Sequence, residues 1–220
     1  MWAREQILVL DDLDRLLTED EQVRLGGNRR QVSSELAFGR AGTLGPLPVS
    51  LDDGRVVLLA GSADRVDECA DGSLVVVDYK SGRADKFKGL SETDPDKSGS
   101  KLQLPIYGLA AQRELGDKPV RAEYWFIGTK DRGLRIGYEL TDAVLTRYRS
   151  VLATVVDGIA QGVYPANAPE DQAWSSYPGC IYCDPDNLGA KERRLQWDRK
   201  KHASEIGSYL ALTEPAEGND

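Results

Sequence analysis

A mixed α/β domain, with a central mostly antiparallel or mixed sheet flanked by helices, is the fold class this sequence predicts. Two observations point to it. Between residues 47 and 82, short apolar runs alternate with Asp-Gly turns, the mark of consecutive strands. Before and after them, apolar residues recur at helical spacing among charges. The size is sufficient: 220 residues, 40% hydrophobic and 29% charged, hold one ordinary core.

The elements follow in order. Residues 2–25 read as a helix, with Leu10, Leu13 and Leu17 in helical register and "LGGNRR" ending it at glycines. "LPVSL", "RVVLLAGSADRVD" and "SLVVVDYKSG" read as strands, separated by "DDG" at 52–54 and "ADG" at 70–72. Residues 84–100 are polar and turn-rich, which predicts a mobile loop. "KLQLPIYGLAAQREL" is helical, with Pro105 confined to its first turn. "RAEYWFIGT" and "LRIGYEL" predict two more strands around "KDRG". Thr141 caps a helix over 142–161. An irregular stretch and a charged helix follow. One domain over 1–210 and a disordered tail over 211–220 are expected.

Charge and cysteine content narrow the function. The net charge of −8 argues against nonspecific nucleic-acid binding by the chain as a whole. "KERRLQWDRKKH" at 191–202 is nevertheless basic, so one segment can meet phosphates. No apolar run approaches the ~18 residues of a membrane span. The start of the chain lacks a signal-peptide core, and three cysteines cannot all pair, which suggests a reducing cytoplasm.

The chemistry concentrates at "VVVDYKSG", residues 75–82. Residues two apart on a strand share a face, so Asp78 and Lys80 project together beyond a fully apolar run. Asp64, in "GSADRVDE", lies on the strand that pairs with this one across the "ADG" turn. Two facing carboxylates repel unless a cation lies between them, and oxygen ligands suit Mg²⁺ or Mn²⁺. A neighbouring lysine can orient or deprotonate a water and stabilise developing negative charge, the chemistry of phosphodiester hydrolysis. Gln103 and Tyr107 stand four apart, on one helix face. Taken alone, each feature also fits a plainer reading: a solvated strand end, and a helix with a buried tyrosine.

Together these residues resemble the PD-(D/E)XK nuclease superfamily, and within it the RecB-type exonuclease branch. The matching motifs are Gly61-x-x-Asp64, Asp78-Tyr79-Lys80-Ser81-Gly82 and Gln103-x-x-x-Tyr107. The resemblance implies a restriction-endonuclease-like core. It implies that Asp64 and Asp78 bind metal, with the Tyr79 carbonyl as a further ligand, and that Lys80 is catalytic. Gln103 and Tyr107 would position DNA or the active centre.

The resemblance is incomplete at the cysteines. Many members of the branch carry an iron–sulfur cluster on four cysteines, one upstream of the motifs and three as C-x-x-C-x5-C. Here Gly189 takes the third position after Cys180 and Cys183, no cysteine precedes Asp64, and Cys69 falls at a hairpin turn. Two thiolates are too few for a cluster or a closed zinc site, so neither is expected. The family's first helix often bears a histidine or glutamate near the metals, and one reading is that this chain begins after that helix. The sole histidine, His202, lies in the basic segment. Glu35 is either a substitute acid or part of a strand's hydrogen-bond network.

Two sets of cations are candidates for DNA contact: Arg193, Arg194, Arg199, Lys200 and Lys201 in the basic segment, and Lys86, Lys88 and Lys101 around the polar loop. Solvated faces are the plain alternative for both. The function expected is a metal-dependent DNA nuclease, working as an exonuclease in repair, recombination or defence. No Walker motif occurs, so a helicase or other subunit would supply any motor. The alternative is an inactive nucleic-acid-binding or scaffold domain of a larger helicase–nuclease assembly.

Overall fold

A computed structural model of the chain describes residues 2–40, 44–165 and 190–214, without the side chains of residues 3, 4 and 190–194. The chain divides into two compact units, Met1–Ser150 and Val151–Asp220.

The first unit is a mixed sheet with helices against it. Helix α1 (Trp2–Gly27) precedes β1 (Arg30–Phe38), β2 (Leu47–Ser50), β3 (Val56–Leu59), β4 (Gly61–Glu68) and β5 (Leu74–Lys80). Then come α2 (Gln103–Leu115), β6 (Val120–Phe126), β7 (Arg135–Glu139) and the start of α3 (Asp142–Ala160). The main sheet has the order β1-β4-β5-β6-β7, and β2 and β3 form a separate two-stranded sheet. Every pairing is antiparallel except β5 with β6, so the sheet is mixed, as expected. A parallel pair requires a crossover, and α2 lies in the connection that makes it.

Val75, Val76 and Val77 are at most 3% exposed because β5 has a strand on either side and cover on both faces. One face packs Val75, Val77 and Trp125 against Leu16 of α1 and Cys69. On this face Arg65, 5% exposed, donates to both oxygens of Asp67 at 2.6 and 2.8 Å, pairs with Asp20 of α1 and donates to the Tyr79 hydroxyl. Asp12 of α1 pairs with Arg132. The other face carries Leu74, Val76, Ala122, Tyr124 and Phe126, all buried.

Three expectations need correction. Residues 30–38 form an edge strand that the apolar pattern hides: five of the nine are polar or charged, and the pairing slips between Gln31 and Ser33. The run 55–67 is two strands, not one. The chain changes sheets at Ala60, so that β3 pairs with β2 and β4 pairs with β1. Residues 84–100 are not a free loop. Ala84, Leu90 and Asp96 are buried, the Tyr138 hydroxyl donates to the Pro95 carbonyl at 2.8 Å, and Arg147 donates to the Asp96 carboxylate at 2.7 Å.

In the second unit, α4 (Ala190–Lys200) and α5 (Gly207–Thr213) pack through Trp197 and Tyr209, whose rings meet edge to face at 6.1 Å. Residues 211–213, expected in the tail, belong to α5; residues 215–220 lie outside the described ones.

Candidate active site

The hairpin between β4 and β5 builds the centre. Arg65 pairs with Val77 and Val66 with Val76, so one step further along Asp64 stands opposite Asp78. Both lie an even number of residues from the Val66–Val76 pair and so share its face. The Tyr79 backbone N–H donates to Asp64 Oδ2 at 2.8 Å. The Tyr79 side chain goes to the opposite face and stacks near Trp125 at 5.6 Å, so only its backbone is available to this site.

Asp78 is 4% exposed and forms an ion pair with Lys80. Burial holds the Asp78 carboxyl above its ordinary value; Lys80 opposes the rise and the charge of Asp64 adds to it. Lys80 Nζ also donates to Gln103 Oε1 at 3.3 Å, and Gln103 Nε2 donates to the Tyr107 hydroxyl at 3.2 Å. Burial and the nearby Asp78 charge push the Tyr107 phenol up. Gly61, first in its motif, leaves room for this arrangement. A Cβ there would lie 2.9 Å from the Phe38 ring and 3.2 Å from the Tyr107 ring. Asp64, Asp78, Lys80, Gln103 and Tyr107 are therefore brought together.

The donors suit a hard cation. Two carboxylates face each other on neighbouring strands, one of them buried and raised in pKa partly by the other. A divalent ion relieves both the burial and the repulsion. Among the described residues no three His, Cys, Asp or Glu side chains cluster closely enough to hold a metal. An ion at this site would thus rest on two carboxylates, the Tyr79 carbonyl, water and substrate oxygens, a ligand set that suits Mg²⁺. Asp12 and Asp20 of α1 are engaged by Arg132 and Arg65, the latter on the opposite face. Glu35 adopts a left-handed backbone, φ +52°, and its carboxylate accepts from the Ser62 hydroxyl at 3.2 Å.

Three residues near the centre escape the sequence reading. Tyr124 lies opposite Asp78 in the parallel register; it is fully buried, and Lys80 Nζ stands 5.0 Å from its ring centre. Phe87 meets the rings of Tyr124 and Phe126 at 4.7 and 5.3 Å. Arg40 carries its positive charge near enough to act on Tyr107. "RAEYWF" gives only a strand signal, and a register set by a long crossover is not legible in it.

The predicted cations are dispersed. Lys101 flanks the centre. Lys86 and Lys88 are exposed on the short helical turn Asp85–Phe87 and just after it, and Lys88 pairs with Asp85 at 2.9 Å. Arg199 and Lys200 are exposed in the second unit, and Lys201 pairs with Asp198 at 3.1 Å. The side chains of Arg193 and Arg194, and all of Cys180 and Cys183, lie outside the described residues. No helix among the described residues is long and apolar enough to cross a membrane.

Comparison with known proteins places this geometry. Residues 2–187 match the family described as the PD-(D/E)XK nuclease superfamily. The chain is 37% identical over 94 residues to one subunit of the ATP-dependent helicase/deoxyribonuclease of Clostridium tetani, covering 41% of this chain and 8% of that one. It is 42% identical over 76 residues to the protein of the same name from Clostridium kluyveri, covering 33% and 6%. The chain thus spans less than a tenth of the length of these curated relatives. A solved structure titled "Crystal structure of SSO0001" aligns with 74% of this chain and 72% of its own, at 16% identity and a TM-score of 0.32, too loose a likeness to bear on the site.

Proposed function

The chain belongs to the PD-(D/E)XK nuclease superfamily, and from that premise we propose that it is a divalent-metal-dependent deoxyribonuclease that hydrolyses phosphodiester bonds as an exonuclease. The observation that carries the reading is the Asp64–Asp78 pair, facing across β4 and β5 with Lys80 held on Asp78. An inactive scaffold has no need of a buried carboxylate raised in pKa beside a second one.

Asp64, Asp78 and the Tyr79 carbonyl would hold Mg²⁺ or Mn²⁺. When bound, such an ion polarises a phosphate oxygen and acidifies water. The protein's own groups do the rest. Lys80, fixed between Asp78 and Gln103, directs its N–H groups to where negative charge grows on the phosphate. Gln103 and Tyr107 hold Lys80 in that direction from α2. A helicase partner is supported by the names of the relatives, each a subunit of an ATP-dependent helicase/deoxyribonuclease.

The test is cleavage of labelled single- and double-stranded DNA, linear and circular, with Mg²⁺, with Mn²⁺ and with chelator. Metal-dependent loss of nucleotides from linear DNA, absent in Lys80→Ala, is expected. A protein that cleaves none of these substrates with either metal overturns the reading, and cleavage of circles as fast as linear DNA overturns the exonuclease part.

A further inference from the structure

Of the lysines of the 84–101 segment, Lys86 is exposed and Lys101 lies nearest the centre. Lys88 and Lys97 pair with Asp85 and Asp94, at 2.9 and 3.1 Å. Lys101 is part-buried and meets no carboxylate among the described residues; its Nζ stands over the Phe87 ring, 4.2 Å from the centre. That ring touches Tyr124, whose own face carries Lys80 Nζ. Two ammonium groups thus rest on two rings in mutual contact. Burial, with the charges of Lys86 and Lys80 adding to it, holds the Lys101 pKa below the ordinary lysine value. Lys80 is already held by Asp78, whereas no carboxylate among the described residues offsets the charge of Lys101, which favours an anion beside it.

The backbone below Lys101 is fixed. Its N–H donates to the Asp96 carbonyl at 2.8 Å. The Asp96 carboxylate, 2% exposed, accepts from the Gly99 N–H at 2.6 Å and from Arg147 at 2.7 Å. A cation on a scaffold of this kind is already in place before substrate arrives, unlike one on a mobile loop.

We infer that Lys101 is a substrate-positioning residue that holds the backbone phosphate next to the one at Asp78 and Lys80, with Phe87 as its platform. This rests on the nuclease reading and adds a second phosphate position to the same site.

The experiment compares wild type, Lys101→Met and Lys101→Arg, and measures DNA affinity on an Asp64→Asn background with chelator present, where binding is read without turnover. Methionine keeps the apolar stem over Phe87 and removes only the charge. Expected for Lys101→Met are an affinity about tenfold weaker, a salt dependence shallower by about one counterion, and, in active protein, a raised KM at little-changed kcat. Lys101→Arg should restore affinity and salt slope. Wild-type affinity and salt slope in Lys101→Met, or a loss confined to kcat, overturn the inference. Failure of the nuclease reading shows separately, as wild type that does not cleave in any metal.

Discussion

The Tyr79 backbone N–H donates to Asp64 across the β4–β5 pair, so the residue between Asp78 and Lys80 orients the third charged group of the centre. Asp64 is therefore aimed by the sheet itself. Asparagine at 64 keeps an oxygen acceptor for that N–H and loses only the charge. Asp64→Asn should unfold within about 2 °C of wild type. Its Mn²⁺ affinity, measured by calorimetry, should fall, and cleavage should drop by about a hundredfold or more. Cleavage at the wild-type rate would remove Asp64 from the centre.

Asp78 and Lys80 have separable tasks. Lys80→Ala should abolish cleavage and leave Mn²⁺ binding nearly intact, because an ammonium is not a metal ligand. Asp78→Ala should lose both. The loss in Lys80→Ala belongs in kcat, at about a hundredfold or more, since it removes a charge aimed at the transition state. Calorimetry and turnover on the same two variants decide the point.

Burial raises the Asp78 carboxyl above its ordinary value of 3.8. The sign then follows from linkage: the folded state takes up the proton more readily than the unfolded one. The contribution of Asp78 to metal-free stability is full below 3.8 and is lost as pH rises through the higher folded value. Asp78→Asn does not titrate at this position. The difference in Tm between wild type and Asp78→Asn should therefore shift in favour of wild type as pH falls from neutral toward 3.8. A difference that shifts the other way, toward the variant, contradicts the raised value.

Gly61 is a matter of space. A methyl group there would displace the Phe38 and Tyr107 rings. Gly61→Ala should cost about 1–3 kcal/mol of stability. It should also lower kcat, because Tyr107 supports Gln103, which supports Lys80. Denaturant unfolding and turnover give the two numbers. An unchanged Tm would mean that the rings yield without cost.

The facing of Asp64 and Asp78 is legible in sequence because it needs only a short turn and the two-residue period of strands. Lys80 and the Gln103–Tyr107 pair are legible for the same reason: each is local. What is hidden depends on distance along the chain. β1 presents too few apolar residues to announce itself, since an edge strand buries little. The 84–100 segment reads as mobile from its polarity, yet one of its acids, Asp96, is buried by an arginine 51 residues away. Tyr124 reaches Asp78 only through the parallel pairing that α2 permits.

The position of β5 also bears on how the protein comes apart. Strands on both sides and cover on both faces leave Val75–Val77 at most 3% exposed. Amide protons in such a strand exchange with solvent only when the whole unit opens. Asp78 lies on that last-opening element and Asp64 on β4, itself flanked by two strands, so neither is on a fraying edge. Partial unfolding events that release β7 or the β2–β3 hairpin would then leave Asp64 and Asp78 still face to face. The ion-binding geometry would outlast the margins of the sheet.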